Sequence, residues 1–430
     1  MKPTFEQTSR KNIFFSLGIF QFLTFVRRGV FYTFMINYLF TLMPAVTLTA
    51  TLGTLNMISS ALGQNLLWGK ISDRYKLRSK LIIMGESIAG LTYLGVFLLH
   101  RSLRDSGDSF AAGLAIIFGL SLLEFFWSMS DVGWATLLTD VTTLKTRGTV
   151  VGILNFVASL ARMVGIVFAG LLYDEGNGFR QGTIFYIVIA MLFIGATMMW
   201  LTSRFAKQSA PIEDTSSDKK NGDLEGRDDL THKNESTHRW FLISLIIIVM
   251  GASSISQIFL LFLKLEGGLN ATDLGMSFIL TAWTAGGMVS LLSGRLADKF
   301  GRAVVILFGV FLAALTPVFY GLASSVPVMA LVYGVNGISF WTIQTVGFAL
   351  VGDLTPVERR GRLLSRYNAV MALSWGPAGL LIGGPLADFQ TSLGFLAHAA
   401  YINCFLVSSL IVGFGAVVFY LKVMRKMKVN

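Results

Sequence analysis

Long apolar segments separated by short polar breaks dominate the hydropathy pattern of the chain. A helix of about twenty residues is long enough to cross a hydrocarbon layer of ~30 Å. Read in this way, the segments number twelve. We expect spans one to twelve at 13–42, 47–70, 80–100, 110–138, 149–172, 182–203, 240–263, 274–296, 303–323, 327–351, 363–386 and 397–421. The pattern therefore predicts an all-α membrane protein with twelve transmembrane helices.

A long polar stretch separates the sixth span from the seventh. Residues 204–239 are rich in charge and carry no periodic apolar face, which is typical of a disordered segment. We therefore expect an N-terminal six-helix bundle at 1–203, a cytoplasmic linker at 204–239 and a C-terminal six-helix bundle at 240–430.

The distribution of lysine and arginine predicts the orientation, because these residues concentrate in cytoplasmic loops. With the N-terminus inside, the inner segments hold 28 of the 35 basic residues and the outer loops hold only four. We therefore expect a multi-pass protein of the cell membrane with both termini in the cytoplasm.

Composition agrees with this assignment and argues against several classes of function. Hydrophobic residues make up 53% of the chain, charged residues 14%, and the mean hydropathy is +0.65. The net charge of +11 is carried at the ends of the spans, so it does not indicate nucleic-acid binding. One cysteine, four scattered histidines and no nucleotide-binding loop indicate neither a metal site nor a cofactor. We expect a monomeric protein that is not an enzyme.

Three short sequences occur in both halves with the same internal spacing. They are GKISD and GRLAD at 69–73 and 294–298, DVTTLKTRG and DLTPVERRG at 140–148 and 353–361, and GLLYD and GPLAD at 170–174 and 384–388. Because each pair lies at equivalent places relative to the spans, the repeats predict that the two halves share one fold.

The whole chain resembles the major facilitator superfamily, whose members contain two parallel six-helix repeats around a central site. The loop signature of that family is G-x-x-x-D-[RK]-x-G-[RK]-[RK]. The second half matches it at Gly294, Asp298, Lys299, Gly301 and Arg302. The first half matches it at Gly69, Asp73, Arg74 and Arg78, but departs from it at Lys76 and Leu77.

The resemblance implies that these loops form an inner gate, which holds the outward-facing state by pairing aspartates with arginines and helix ends. The residues assigned to this gate are Gly69, Asp73, Arg74, Arg78, Arg147, Asp298, Arg302 and Arg360. The alternative is that these charges are solvated residues of positively charged inner loops.

The resemblance also implies that spans one, four, seven and ten face the central cavity. In span four, Glu124 and Asp131 are seven residues apart and so share one helix face, with Trp127 on the same stripe. Acids within a span are costly and usually face a partner or water. By the offset between the repeats, Asp131 corresponds to Gln344 in the uncharged span ten, close to Trp341.

Three arginines accompany these acids inside the apolar segments. Arg27 and Arg28 are adjacent in FLTFVRRGVFYTF, and Arg162 lies in span five. Neighbouring helix positions differ by about 100°, so we expect only one of the pair to face the cavity. Alternatively, span one is tilted and both arginines snorkel to the headgroups. Three cations against two acids favour an anionic group on the substrate.

These features predict a secondary active transporter that moves a small molecule across the bilayer by alternating access, with protons as the coupling ion. Glu124 or Asp131 would carry the proton, because a buried carboxylate near an arginine can exchange it as the environment changes. The alternative is an efflux pump for hydrophobic or amphipathic compounds, which the many Phe and Met residues favour. The drug/proton antiporter signature of the family is missing from span five, however. A non-transporting membrane receptor is a further alternative.

Overall fold

The computed structural model describes residues 5–75, 77–141, 144–206, 228–265, 268, 273, 289–322, 325–354 and 360–428, and these residues form helices joined by short turns. The helices of the N-terminal half are Phe5–Tyr32, Met35–Leu42, Val46–Leu62, Gly63–Trp68, Gly69–Tyr75, Arg78–Asp105, Ser109–Val141, Leu144–Tyr173, Asp174–Gly176, Asn177–Arg180 and Thr183–Ala206. Those of the C-terminal half are Asp228–Ser253, Ser256–Leu265, Val289–Phe300, Arg302–Tyr320, Val326–Asp353, Arg360–Trp375, Gly379–Gly383, Gly384–Ser392, Ala397–Phe419, Tyr420–Met424 and Arg425–Lys428. The all-α prediction is confirmed.

Nine segments of the described part are long and apolar enough to cross a membrane. They correspond to predicted spans one, three to seven, nine, eleven and twelve. Spans two and ten are helical at Val46–Trp68 and Val326–Asp353. Residues 274–288 of predicted span eight lie outside the described residues.

The predicted disordered linker is helical at both of its described ends. The helix of span six continues to Ala206, and the helix that contains span seven already begins at Asp228. The polar residues at 228–239 need no apolar face of their own, because they extend a helix that is nucleated inside the bundle. Residues 207–227 lie outside the described part of the chain.

Span eleven, predicted as continuous, is interrupted at Pro377. Two further spans that the hydropathy pattern predicts as continuous are each broken beside a hydroxyl residue. Span one is interrupted at Thr33 and span seven at Ser254. A hydroxyl at each break replaces lost backbone bonding: Thr33 Oγ1 donates to the Gly29 carbonyl at 2.5 Å, and Ser254 Oγ donates to the Gly251 carbonyl at 2.7 Å. Such compensation makes a helix break tolerable at membrane depth.

Spans one and five approach each other backbone to backbone. A Cβ atom added to Gly165 would lie 2.2 Å from the Val26 carbonyl oxygen, and one added to Gly29 would lie 2.7 Å from the Arg162 carbonyl oxygen. Only glycine leaves room for this contact. The approach sets the rotation of span one and brings Arg162 beside it.

The two halves meet at the predicted outer end of the molecule. The half-helix Met35–Leu42 of span one packs against Ser256–Leu265 of span seven, and span two packs against span eleven. One apolar core cluster runs through this junction and includes Leu39, Phe259 and Phe262. The described structure is therefore closed at the predicted outer end.

Candidate functional site

The adjacent arginines of span one have different environments. Arg27 is 1% exposed and lies inside the N-terminal bundle, whereas the side chain of Arg28 is 32% exposed. Both guanidinium groups lie over the ring of Trp127, at 4.7 Å for Arg27 and 4.3 Å for Arg28. Such contacts stabilise a cation that has lost part of its water. The burial of Arg27 contradicts the alternative in which both arginines snorkel to the headgroups.

Spans one and four present matching polar residues to each other. Arg28 lies 3.8 Å from the Asp131 carboxylate, and one turn further along span one Tyr32 donates a hydrogen bond of 2.8 Å to Glu124. Glu124 and Asp131 therefore point to the same side of span four, as their seven-residue spacing predicts. Gln64 of span two adds a longer contact, 3.4 Å from its amide nitrogen to Asp131.

A third acid, Glu86 of span three, lies in the same bundle and was not singled out from the sequence. It is 2% exposed, and its Oε1 accepts hydrogen bonds of 2.7 Å from the Trp127 indole and of 2.7 Å from Ser130. Trp127 is therefore buried inside the bundle, with its N–H directed at Glu86 and its ring against the arginines. The buried acceptor for the indole N–H favours a packing role for Trp127, and its place at the substrate site stays a prediction.

Arg27 is incompletely bonded among the described residues. Its Nη1 donates to the Tyr93 hydroxyl over 3.4 Å, while Nε and Nη2 are buried without a hydrogen-bond partner. Arg27 and Glu86 border one cavity with Thr24 and Gly195, and this cavity is too narrow for a water molecule. A buried charge with unmet donors is energetically costly. Arg27 thus belongs to the interior of the bundle and not to the cavity between the halves.

Arg162 and span ten supply the side of the site nearest to the second half. Arg162 is exposed, and Arg28 and Tyr333 of span ten lie close enough to interact with it electrostatically. Trp341 and Gln344 are half-buried further along span ten, and no bond joins them to the charged residues of the first half within the described part. Tyr333 is therefore one residue of the second half that lies near Arg162.

The predicted gate arginines bind carbonyl groups of their own halves. Arg78 donates to the Ser72 carbonyl at 2.7 Å, and Arg302 donates to the Ala349 carbonyl. These two bonds fix the inner loops to helices of the same half.

The other predicted gate residues are exposed or outside the described side chains. Arg74 and Asp298 are exposed, and Gly69 begins the short helix Gly69–Tyr75. The side chains of Asp73, Arg147 and Arg360 lie outside the described part. The gating role of this set therefore stays a prediction.

The sequence model of the Major Facilitator Superfamily matches this chain over residues 17–290 and again over 241–430. The two matches together cover both helical halves. The chain belongs to the Major Facilitator Superfamily. Membership confirms the expected family and its transporter fold, and it confirms that the protein is a multi-pass membrane transporter and not an enzyme.

Several relatives within the superfamily are named for drug resistance. Multidrug resistance protein 3 of Bacillus subtilis is 31% identical over 122 residues, which cover 27% of this chain and 23% of that protein. The quinolone resistance protein NorA of Staphylococcus aureus is 24% identical over 173 residues, covering 39% of this chain and 43% of that protein. The chain thus aligns with less than half of the length of either relative.

Solved transporter structures match the fold along nearly the full chain. A bacterial homologue of the human lysosomal transporter Spinster, in an inward-facing and unoccupied conformation, matches with a TM-score of 0.71 and 15% identity over 100% of this chain and 98% of that chain. The nucleoside transporter NupG matches with a TM-score of 0.64 and 14% identity over 97% of this chain and 99% of that chain. At such identities the comparison establishes the superfamily fold alone.

Proposed function

We propose that this transporter carries a small organic anion across the cell membrane in symport with protons. The observation that carries the proposal is the pair of accessible arginines, Arg28 and Arg162, at the junction of spans one, four, five and ten. Two cations in this position need a compensating anion, because an isolated charge in a low-dielectric cavity is unfavourable.

The carboxylates already in the site leave part of this charge unmatched. Asp131 lies near Arg28 at 3.8 Å, which is longer than the ~2.7 to 2.9 Å of a well-formed charged hydrogen bond. Glu124 is instead bonded to Tyr32. A substrate carboxylate or phosphate can therefore bind between Arg28 and Arg162, with Tyr333 contributing from the second half.

Proton coupling follows from competition for Arg28. When a substrate anion binds Arg28, Asp131 loses its cationic neighbour and its affinity for a proton rises. When the anion leaves, the arginine again favours the ionised carboxylate. Asp131 is the better proton carrier of the two acids in span four, because its side chain is 41% exposed, whereas Glu124 is 8% exposed as a residue.

The second candidate function is export of amphipathic compounds. The names of the drug-resistance relatives favour it, and Arg28 also lies over the ring of Phe25 at 5.5 Å, so apolar and charged surfaces adjoin at the site. An exporter of this kind would move lipophilic cations, which two accessible arginines would repel. The charge of the transported compound therefore separates the two candidates.

Proteoliposomes that enclose a pH-sensitive dye test both candidates. We expect phenyl phosphate, a probe anion that does not cross the bilayer unaided, to cause proton movement that Asp131→Asn abolishes. Asp105→Asn at the outer surface serves as the control. Anion exchange without a pH gradient should persist in Asp131→Asn. If ethidium moves protons and a panel of monocarboxylates, dicarboxylates and organic phosphates does not, the anion proposal is wrong and the export candidate is supported.

The proposal includes the predicted orientation, with both termini in the cytoplasm, and a monomeric transporter. The charge distribution of the inner and outer loops supports the orientation. Fusing a periplasmic phosphatase reporter after Asn430 should yield no activity in intact bacterial cells, whereas a fusion after Ser106 should be active.

A further inference from the structure

A carboxylate of the second half caps a helix of the first half at the closed outer end. Asp388, near the end of span eleven, accepts hydrogen bonds from the backbone N–H groups of Val46 at 3.0 Å and Thr47 at 2.8 Å. These residues begin the helix Val46–Leu62 of span two. Asp388 lies 342 positions from Val46 and 341 from Thr47 in the chain, so the contact joins the two halves.

The span-two helix has no cap of its own. Its N-cap residue is Ala45, which makes no side-chain hydrogen bond. The first N–H groups of a helix have no partner within the helix, and its N-terminus carries partial positive charge. Alanine cannot satisfy those groups, whereas a carboxylate matches both the donors and the charge. Asp388 of the other half thus provides the helix cap that Ala45 cannot.

Spans two and eleven fit closely around this cap. A Cβ atom added to Gly384 would lie 2.7 Å from the Thr47 Cα, and one added to Gly376 would lie 2.7 Å from the Met57 side chain. Thr54 also donates a hydrogen bond of 3.1 Å to the Gly376 carbonyl. The contact therefore extends over several helical turns and holds Asp388 at the start of span two.

We propose that Asp388 is a positioning residue of the transport cycle, whose carboxylate holds the outer end closed by capping span two. Opening of the cavity at that end requires the two bonds to break, which leaves the first N–H groups of span two to water. The contact is made in the outer-closed state and lost in the outer-open state, so it biases the equilibrium between them. This role is independent of the substrate and of the coupling ion.

A second polar contact between the halves, among the residues described at this end, is weaker. Lys264 of span seven lies 3.3 Å from Glu175 after span five, but the glutamate side chain is 68% exposed. Exposed ion pairs contribute little, because water competes for both charges. Asp388 is half-buried and accepts hydrogen bonds through both carboxylate oxygens. We therefore expect it to stabilise the outer-closed state more than the exposed ion pair does.

Asp108 provides a matched control. Its carboxylate accepts a hydrogen bond of 2.8 Å from the Ala111 N–H at the start of span four, within its own half and at the same outer end. Removing this acid deletes the same kind of cap without touching a contact between the halves. An effect confined to Asp388 is therefore an effect on closure.

Distances between spin labels measure the equilibrium between the outer-closed and outer-open states directly. Cys404 is the single cysteine of the chain and is buried, so Cys404→Ala gives a background for labels at chosen sites. One pair, Ser106→Cys with Ser392→Cys, spans the outer end, and the other, Lys80→Cys with Lys299→Cys, spans the inner end; all four positions are exposed. Measurements are made on the full chain in lipid nanodiscs.

We expect Asp388→Ala to raise the ratio of outer-open to outer-closed molecules about tenfold, which equals about 1.4 kcal/mol. The outer distances then lengthen while the inner distances shorten. Asp388→Asn, which keeps one acceptor oxygen, should shift this ratio less. It replaces Asp388→Ala as the test variant if that protein does not fold. Asp108→Ala should match the parent. Unchanged distributions in both Asp388 variants, or a broadened outer distance without a shorter inner one, would overturn the proposal.

Discussion

The indole N–H of Trp127 donates a hydrogen bond of 2.7 Å to the carboxylate of Glu86, and the two side chains connect spans four and three inside the N-terminal bundle. Both arginines of span one lie over the same indole ring. Trp127 therefore links a buried carboxylate to the cation that faces the cavity.

Replacing Trp127 with phenylalanine should destabilise the protein without removing the aromatic face below the arginines. Glu86 Oε1 would lose one of its two hydrogen bonds and keep the bond from Ser130; a hydrogen bond contributes about 1 kcal/mol net, and about 1.5 to 3 kcal/mol where one partner is charged. Thermal unfolding in detergent would detect the loss as a lower midpoint. The lipid-side substitution Trp200→Phe is the control, since Trp200 is 42% exposed. An unchanged midpoint for Trp127→Phe would show that the bond to Glu86 contributes nothing.

Arg27 and Arg28 should respond differently to substitution. Arg28→Ala removes an accessible cation, so we expect anion affinity to fall at least about tenfold with little change in stability. Arg27→Ala removes a buried side chain and leaves a void, so it should lower the unfolding midpoint and leave affinity near the parent value. Equilibrium binding and thermal unfolding measured on the same preparations check both outcomes. A loss of affinity in both variants would contradict the division of roles.

Substitutions of Glu124 and Asp131 should also differ in their effect on proton-driven transport. A glutamine at position 124 can still accept the hydrogen bond from Tyr32 through its amide oxygen, so Glu124→Gln should retain proton-driven transport within about twofold. Asp131→Asn removes the group that exchanges with the cavity and should reduce proton-driven transport at least about tenfold. Initial rates in proteoliposomes under an imposed pH gradient measure the difference. The reverse ranking would transfer the proton-carrying role to Glu124.

The contact between spans one and five should not tolerate a methyl group. Gly165→Ala would place a Cβ atom 2.2 Å from the Val26 carbonyl, so the helices must separate. We expect a loss of about 1 to 3 kcal/mol, typical of overpacking, and weaker anion binding because Arg162 shifts relative to Arg28. Gly18→Ala in span one is the control, because no atom lies within 4 Å of the added group. Equal unfolding midpoints for the two variants would show that the contact between spans one and five tolerates the methyl group.

Much of the architecture could be predicted because the bilayer imposes strong rules on sequence. Span length, loop charge and the repeated loops at 69–73 and 294–298 led to the superfamily fold that the family match confirms. The helix breaks at Thr33 and Ser254 could not be predicted in this way, because hydropathy is insensitive to a local change in backbone direction.

The site was less accessible to sequence reasoning. Which of the two adjacent arginines faces the cavity depends on the rotation of span one, and a backbone contact with Gly165 sets that rotation. Glu86 does carry a usable signal, because an acid within the apolar run LIIMGESIAGL is costly unless it has partners. The repeat offset pointed to Gln344, whereas Tyr333 lies near Arg162, since homologous positions in two halves need not face the same point.

The position of Trp127 gives the protein an intrinsic optical probe. Indole emission responds to nearby charge, and the guanidinium of Arg28 lies 4.3 Å from the ring centre. An anion that binds Arg28 alters the field at the indole without touching it. Occupancy of the cavity can therefore be followed by fluorescence in unlabelled protein, with the Trp127→Phe variant as the blank.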